Sequence, residues 1–475
     1  MNLAQYLSNE DFQEDETLVN EEGQPQVAPA VEEVVVPEST APELIQDMEL
    51  EVAETNMEVP VSDEAVVDAD EAIEENVEIE TSTAAEVNKL QAARTDAEGV
   101  LESLEHFQTV LQHGLKHKQF SPQFAATVSR ELDRMNGVFG GQVKGLPSLE
   151  SYDRDGMEQY YEASLESFAG FIKRVTDAVS RMSTKLGNKL NNKIWVDSTK
   201  KAADALNVKA DKAIQDLTAL NNTASVEIKI PGAARKLAID GKVPSSLPSA
   251  ATNDQRLING LAGATLKSYV DYSTAIIDLL DEASTKGGEG KTGAIVRKAL
   301  ALKTPADSVP AAVYDGQLLG GPKFNKPAAG DGTIKGLIKS AYPDLNRGEF
   351  ASRGETVSLS KGDAIALVKA AKVYSSLMVK LADGQPRQMF DNFYKRLSAR
   401  SRAQFSSEPT SWSEGKELDQ LVSVMEASCW KGFELLGELL SHSRATGEAL
   451  VAVANEVARV AAKEASAPAA AATTA

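Results

Sequence analysis

The sequence predicts a mainly α-helical protein: an elongated helical body with a small β-hairpin insertion, behind a long disordered acidic leader. Three observations carry this. Apolar residues recur at helical spacing over most of the chain after residue 86. A period of two appears only in short stretches, chiefly around Val226–Val243. Before Lys89 there is no basic residue at all, and residues 1–86 hold 26 of the 70 Asp and Glu. The formal −21 therefore belongs to the leader, because the remaining 44 acids face all 49 bases and leave a body of about +5.

The leader combines acids with Pro25, Pro29, Pro37, Pro42 and Pro60 and with only Tyr6 and Phe12 as aromatics. Such a segment cannot bury enough apolar surface to offset chain entropy. It reads either as a solvating acidic tail or as a removable electrostatic mask. Order is expected to begin after Glu86. Leu90, Ala97, Leu104 and Leu111 fall seven apart, with Ala93, Val100 and Phe107 on the same seam of a helix running to about His117. Three heptads are short for a coiled coil, so the seam is expected to pack within its own domain. Ser121 as N-cap and Pro122 at the first helical position open a second helix to about Met135. A glycine-rich break leads to Leu146-Pro147-Ser148-Leu149-Glu150-Ser151, after which Met157 to Leu186 returns to helical spacing.

Val226, Ile228 and Ile230 alternate with polar residues, and Leu237–Val243 reads as strand, Asp240-Gly241 turn, strand. Helix resumes over Asp254–Ala283. A Gly/Pro/Lys-rich stretch follows, with little regular structure beyond a helix near Lys291–Leu302. Val357–Leu359 is extended, and Ser360 with Asp363 forms a capping box opening a helix to about Leu381. Two more helices are expected, Gln388–Phe405 and a long one from Ser413 or Glu414 to about Lys463. The chain thus divides into a leader (1–86), an N-terminal helical domain (87–222), a β insertion (223–250), a helix (251–285), an irregular linker (286–356), a C-terminal helical domain (357–464) and a flexible tail (465–475).

Composition excludes several classes. No run approaches 18 consecutive apolar residues, so no membrane span is expected. The start has neither the basic nor the apolar part of a signal peptide. Cys429, the single cysteine, permits no intrachain disulfide and no cysteine-based metal site, which suits a reducing compartment. His106, His113 and His117 share a stripe opposite the apolar seam, but no carboxylate or cysteine completes a metal set there. Gly290-Lys291-Thr292 ends like a phosphate loop, yet Thr285 stands where its first glycine belongs and the preceding segment is helical. No nucleophile elbow or metalloprotease motif occurs. No cofactor and no catalytic residue is assigned. Two basic groups could meet phosphate without sequence preference: Lys173, Arg174, Arg181, Lys185, Lys189 and Lys193, and Lys395, Arg396, Arg400 and Arg402.

The order of these features is similar to that of the internal head proteins of phiKZ-like giant bacteriophages. The features are the acidic leader, the heptad-like helix, the Leu146–Ser151 turn and the Met157–Lys193 helix rich in Glu and then in Lys and Arg. The resemblance covers about residues 87–200, with weaker support from 357–382 and 387–463. It implies a non-enzymatic virion protein packed in the capsid with the genome, after assembly in the host cytoplasm. Its partners would be other head proteins, the maturation protease and DNA held by weak contacts. It also implies a propeptide cut after a small residue, any residue and Glu. Ala84-Ala85-Glu86, followed by Val87, fits at the edge of the leader. Ser8-Asn9-Glu10, Ala41-Pro42-Glu43, Ser62-Asp63-Glu64, Ala69-Asp70-Glu71 and Ala72-Ile73-Glu74 fit as well. Ser103-Leu104-Glu105 and Ser164-Leu165-Glu166 match too, but in predicted helices. The alternative is a helical assembly or scaffolding protein that self-associates and keeps its leader.

Overall fold

A computed structural model describes residues 61–139, 154–190, 193–221, 224–239, 241–285, 292–320, 322–347, 356–384 and 412–466. Helices account for most of them, with two small antiparallel two-stranded sheets, so the protein is mainly α. The described residues fall into two compact units, 82–189 and 61–81 with 190–466.

Helix α1 (Asp63–His117) contributes to both. It begins 24 residues before Val87, inside the segment whose charge pattern predicts disorder. The reason is local as well as tertiary. The Ser62 hydroxyl accepts from the Ala65 amide at 3.1 Å, and Asp63 and Glu64 place negative charge at the positive end of the helix dipole. Ala69, Ile73 and Asn76 then follow at 4-3 spacing and are all buried.

In the smaller unit α1 lies with α2 (Pro122–Phe139) and α3 (Arg154–Leu190). Leu90, Ala97, Leu104 and Leu111 are buried, as the seven-residue spacing predicts. Phe107 on the same seam stacks on Phe168 of α3 and on Phe124 of α2, at centroid distances of 5.6 and 6.1 Å. The seam is thus consumed within the unit. Helix α1 ends where Lys118 takes φ 52°, with Gln119 N–H bonded to the Gly114 carbonyl at 2.9 Å. The next chain direction is held by Tyr161, whose hydroxyl accepts from the Ser121 amide at 3.1 Å, and Ser121 caps α2 through Phe124 N–H at 3.3 Å.

The larger unit is built on α4 (Lys193–Ala219), α12 (Lys361–Asp383) and α13 (Trp412–Ser466). Helix α12 packs against both others, and the Ser360–Asp363 capping box that opens it is present in both directions. Gly447 brings α13 close to α4, since a Cβ there would stand 2.6 Å from Leu206 Cδ2. Around this trio lie β1 (Val226–Lys229), α5 (Pro231–Leu237), α6 (Leu247–Gly260), a π-helical turn (Leu261–Thr265) and α7 (Leu266–Thr285).

The expected hairpin takes another form. Strand β1 has the predicted alternation, but its partner is β4 (Thr356–Leu359), with Val226 opposite Leu359 and Ile228 opposite Val357. Pro231 at N1 starts α5 where a second strand would have to form, and next to Gly241, at φ 74°, the pairing among the described residues is limited to the Ile239–Lys242 bridge. The irregular stretch also holds more than one short helix. After α8 (Thr292–Leu300) come α9 (Pro305–Ser308), α10 (Ala311–Asp315), β2 (Pro322–Asn325), α11 (Ile334–Ser340) and β3 (Asp344–Arg347). Strands β2 and β3 pair with Phe324 opposite Leu345. Leu318, Leu319, Phe324, Ile334 and Tyr342 are buried, and that burial orders a segment whose composition alone reads as a loop. The Leu146–Ser151 turn, Gly290-Lys291 and the Gln388–Phe405 helix lie outside the described residues. No helix among the described residues is long and apolar enough to cross a membrane.

Candidate functional site

The segment around the candidate cut, Ala84-Ala85-Glu86-Val87, lies in the middle of α1 rather than at an order boundary. Ala85 is exposed, and Glu86 and Val87 are half-buried. The helix is continuous on both sides of it, so sequence and structure disagree about where order starts.

Upstream of that point the acidic segment is docked within the larger unit. Asp63 pairs with Lys212 at 3.1 Å and Asp70 with Lys209 at 2.6 Å, both across to α4. The Asn76 amide donates to Ser198 Oγ at 2.9 Å and lies 3.5 Å from Thr199 Oγ1, and all three residues are buried. Glu80 meets Arg444 of α13 at 2.8 Å, with both side chains about one-tenth exposed (13% and 10%). Arg444 also reaches Glu448 at 3.3 Å, and Lys236 holds Glu448 at 3.4 Å. Burial pushes the Glu80 carboxyl above its ordinary pKa, against a smaller pull downward from Arg444. The pairing is incomplete: Glu80 Oε1, Arg444 Nε and Asn76 Oδ1 are buried without a hydrogen-bond partner among the described residues. The charge pattern predicts disorder here, whether as a solvating tail or as a removable mask, and gives no sign of this docking.

A second polar cluster that the sequence did not indicate centres on Asp254 of α6, which is 1% exposed. Its carboxylate accepts from the Leu319 amide at 2.7 Å, from the Tyr374 hydroxyl and from His442 Nε2 at 3.0 Å. Since a carboxylate only accepts, His442 carries its proton on Nε2 here. Burial, and then the neighbouring Asp254, hold the Tyr374 hydroxyl protonated far above its usual range. The cluster ties α6, α12, α13 and the Leu318–Leu319 segment together. Both carboxylate oxygens of Asp254 are engaged internally, which suits a structural staple.

The first basic group is placed on two helices. On α3, Lys173, Arg174 and Arg181 are exposed and Lys185 is half-exposed. Arg174, Arg181 and Lys185 share a helix face by their spacing. The Arg174 guanidinium also lies 6.0 Å from the centre of the Phe171 ring. Lys189 is at the end of α3, and Lys193 is the first residue of α4. Lys395, Arg396, Arg400 and Arg402 lie outside the described residues. The His113 and His117 rings are 4.3 Å apart. No group of three or more His, Cys, Asp or Glu side chains suited to a metal ion occurs among the described residues.

Compared with known proteins, residues 50–375 match the sequence profile of the phiKZ-like phage internal head proteins. That span is more than half of the chain and takes in the docked acidic segment and both sheets. No curated protein and no solved structure matches.

Proposed function

The chain belongs to the phiKZ-like phage internal head proteins, and from that premise we propose a structural role inside the head that involves no catalysis. Its class places it within the virion as a structural protein. The match over residues 50–375 carries this reading, and charge segregation supplies its physics. While the leader is attached, −21 of formal charge repels nucleic acid and offers a handle to positively charged partners in the assembling head. The head-maturation protease then cuts after Glu86, within Ala84–Val87. Once the cut leader has also left, the body, at about +5, tolerates packaged phosphate, and Lys173, Arg174, Arg181, Lys185, Lys189 and Lys193, with Lys395, Arg396, Arg400 and Arg402, make weak contacts by counterion release. A protease needs extended backbone, so the cut falls before α1 closes or during its local opening.

A self-associating scaffold is the competing role. It would need a surface other than the heptad seam of α1, because Leu90, Ala97, Leu104 and Leu111 are already covered within the unit. Location separates the two. A general protease added to purified, DNA-filled particles is expected to leave the protein intact and to digest it once the heads are opened. Digestion in unopened particles, or absence of the protein from filled heads, would contradict an internal position.

A further inference from the structure

The part of α1 that the charge pattern assigns to the leader makes contacts characteristic of a bound ligand rather than of a tether. Between Val61 and Glu80 the long-range hydrogen bonds and ion pairs described above reach α4 and α13. Val61 N–H reaches Gln215 Oε1 at 3.1 Å, Asp63 and Asp70 reach Lys212 and Lys209, Asn76 reaches Ser198, and Glu80 reaches Arg444. Ala69, Ile73, Asn76 and Glu80 follow at 4-3-4 spacing, so one stripe of the helix meets the body while its acids meet the rim. None of these contacts depends on the peptide bond after Glu86.

We propose that α4 and α13 form a docking groove for an acidic amphipathic helix. Its occupant is this chain's own 61–81 segment, which stays bound after a cut at Glu86 as a separate peptide. The groove recognises an alanine and an isoleucine four apart, a buried amide against Ser198 and Thr199, and a carboxylate against Arg444, with Lys209 and Lys212 selecting acids outside the stripe. In this account processing cuts the covalent link without uncovering the body at once, and the unpartnered Glu80 Oε1, Arg444 Nε and Asn76 Oδ1 make the occupant exchangeable rather than permanent. The biological setting rests on the processing reading above, whereas the groove itself does not.

The test uses the full-length chain with residues 83–87 replaced by a glycine-flanked recognition sequence for a site-specific protease. After complete cleavage, the N-terminal peptide is expected to co-elute with the body on size exclusion at physiological salt and to separate in denaturant. In an otherwise identical Ile73→Asp chain, released peptide should rise at least tenfold, with Glu80→Gln as a milder second variant should the first fail to fold. Separation of the unsubstituted peptide at physiological salt would overturn the proposal. Equal co-elution in all variants would overturn it too, since adhesion without the groove explains that result. The processing reading fails separately, by an uncut chain in particles, which leaves this outcome untouched.

Discussion

Asp254→Ala is expected to cost the larger unit about 3–5 kcal/mol, among the largest effects a single substitution could have here. The substitution removes an acceptor shared by the Leu319 amide, the Tyr374 hydroxyl and His442, and leaves all three donors in a site where the carboxylate was 1% exposed. Water cannot readily replace it, so each donor bears much of its desolvation penalty. Tyr374→Phe removes one donor and keeps the acceptor, and should cost only about 1 kcal/mol. Urea denaturation followed in the transition of the larger unit measures both. Equal losses for the two variants would mean that the Tyr374–Asp254 hydrogen bond accounts for the whole effect and that the Leu319 and His442 contacts of the carboxylate add nothing.

Arg444→Ala is expected to cost about 3–5 kcal/mol at neutral pH, because it leaves the Glu80 carboxylate buried and uncompensated. Its pH dependence distinguishes this from simple loss of packing. Burial already raises the folded pKa of Glu80, so the folded state binds this proton more tightly than the unfolded chain does. Stability from this group is therefore present below the unfolded pKa and is lost as pH rises through the folded one. Removing Arg444 takes away the charge that lowers that pKa, and so extends the window upward. The difference between wild type and Arg444→Ala should accordingly shrink on acidification into the carboxylate range. A difference independent of pH would assign the loss to packing of the Arg444 stem against its neighbours.

The sequence signals that survived are those carried by strongly apolar stripes. Leu90, Leu104 and Leu111 mark α1 at seven-residue spacing, and in α13 Leu421, Leu436 and Leu440 keep helical spacing and are buried in the same way. The capping box at Ser360 was legible because its chemistry lies within four residues. Helix α4 has a weaker signal: Trp195, Ala202, Leu206, Ala210, Ala213 and Leu217 keep the period, but three of the six are alanines, which mark an apolar face less sharply than larger side chains.

The docked segment was hidden for a physical reason. Two of its four stripe residues, Asn76 and Glu80, are polar, and they become buried only because Ser198, Thr199 and Arg444 arrive from distant parts of the chain. A charge pattern read locally assigns such residues to solvent. The Asp254 cluster has the same origin, since its partners stand 65, 120 and 188 residues away. Strand β1 was readable from its alternation, but its pairing with β4 was not, because the nearby Asp-Gly turn offered a closer partner that Pro231 had already diverted into α5.

The most direct test of the account is the mass of this protein extracted from purified, DNA-filled particles. Denaturing conditions are needed because a docked peptide would otherwise remain with the body. Processing after Glu86 gives a principal chain beginning at Val87. A chain still beginning at Met1 or Asn2, with its acidic leader covalently attached, would contradict processing and leave an unprocessed assembly protein as the better description.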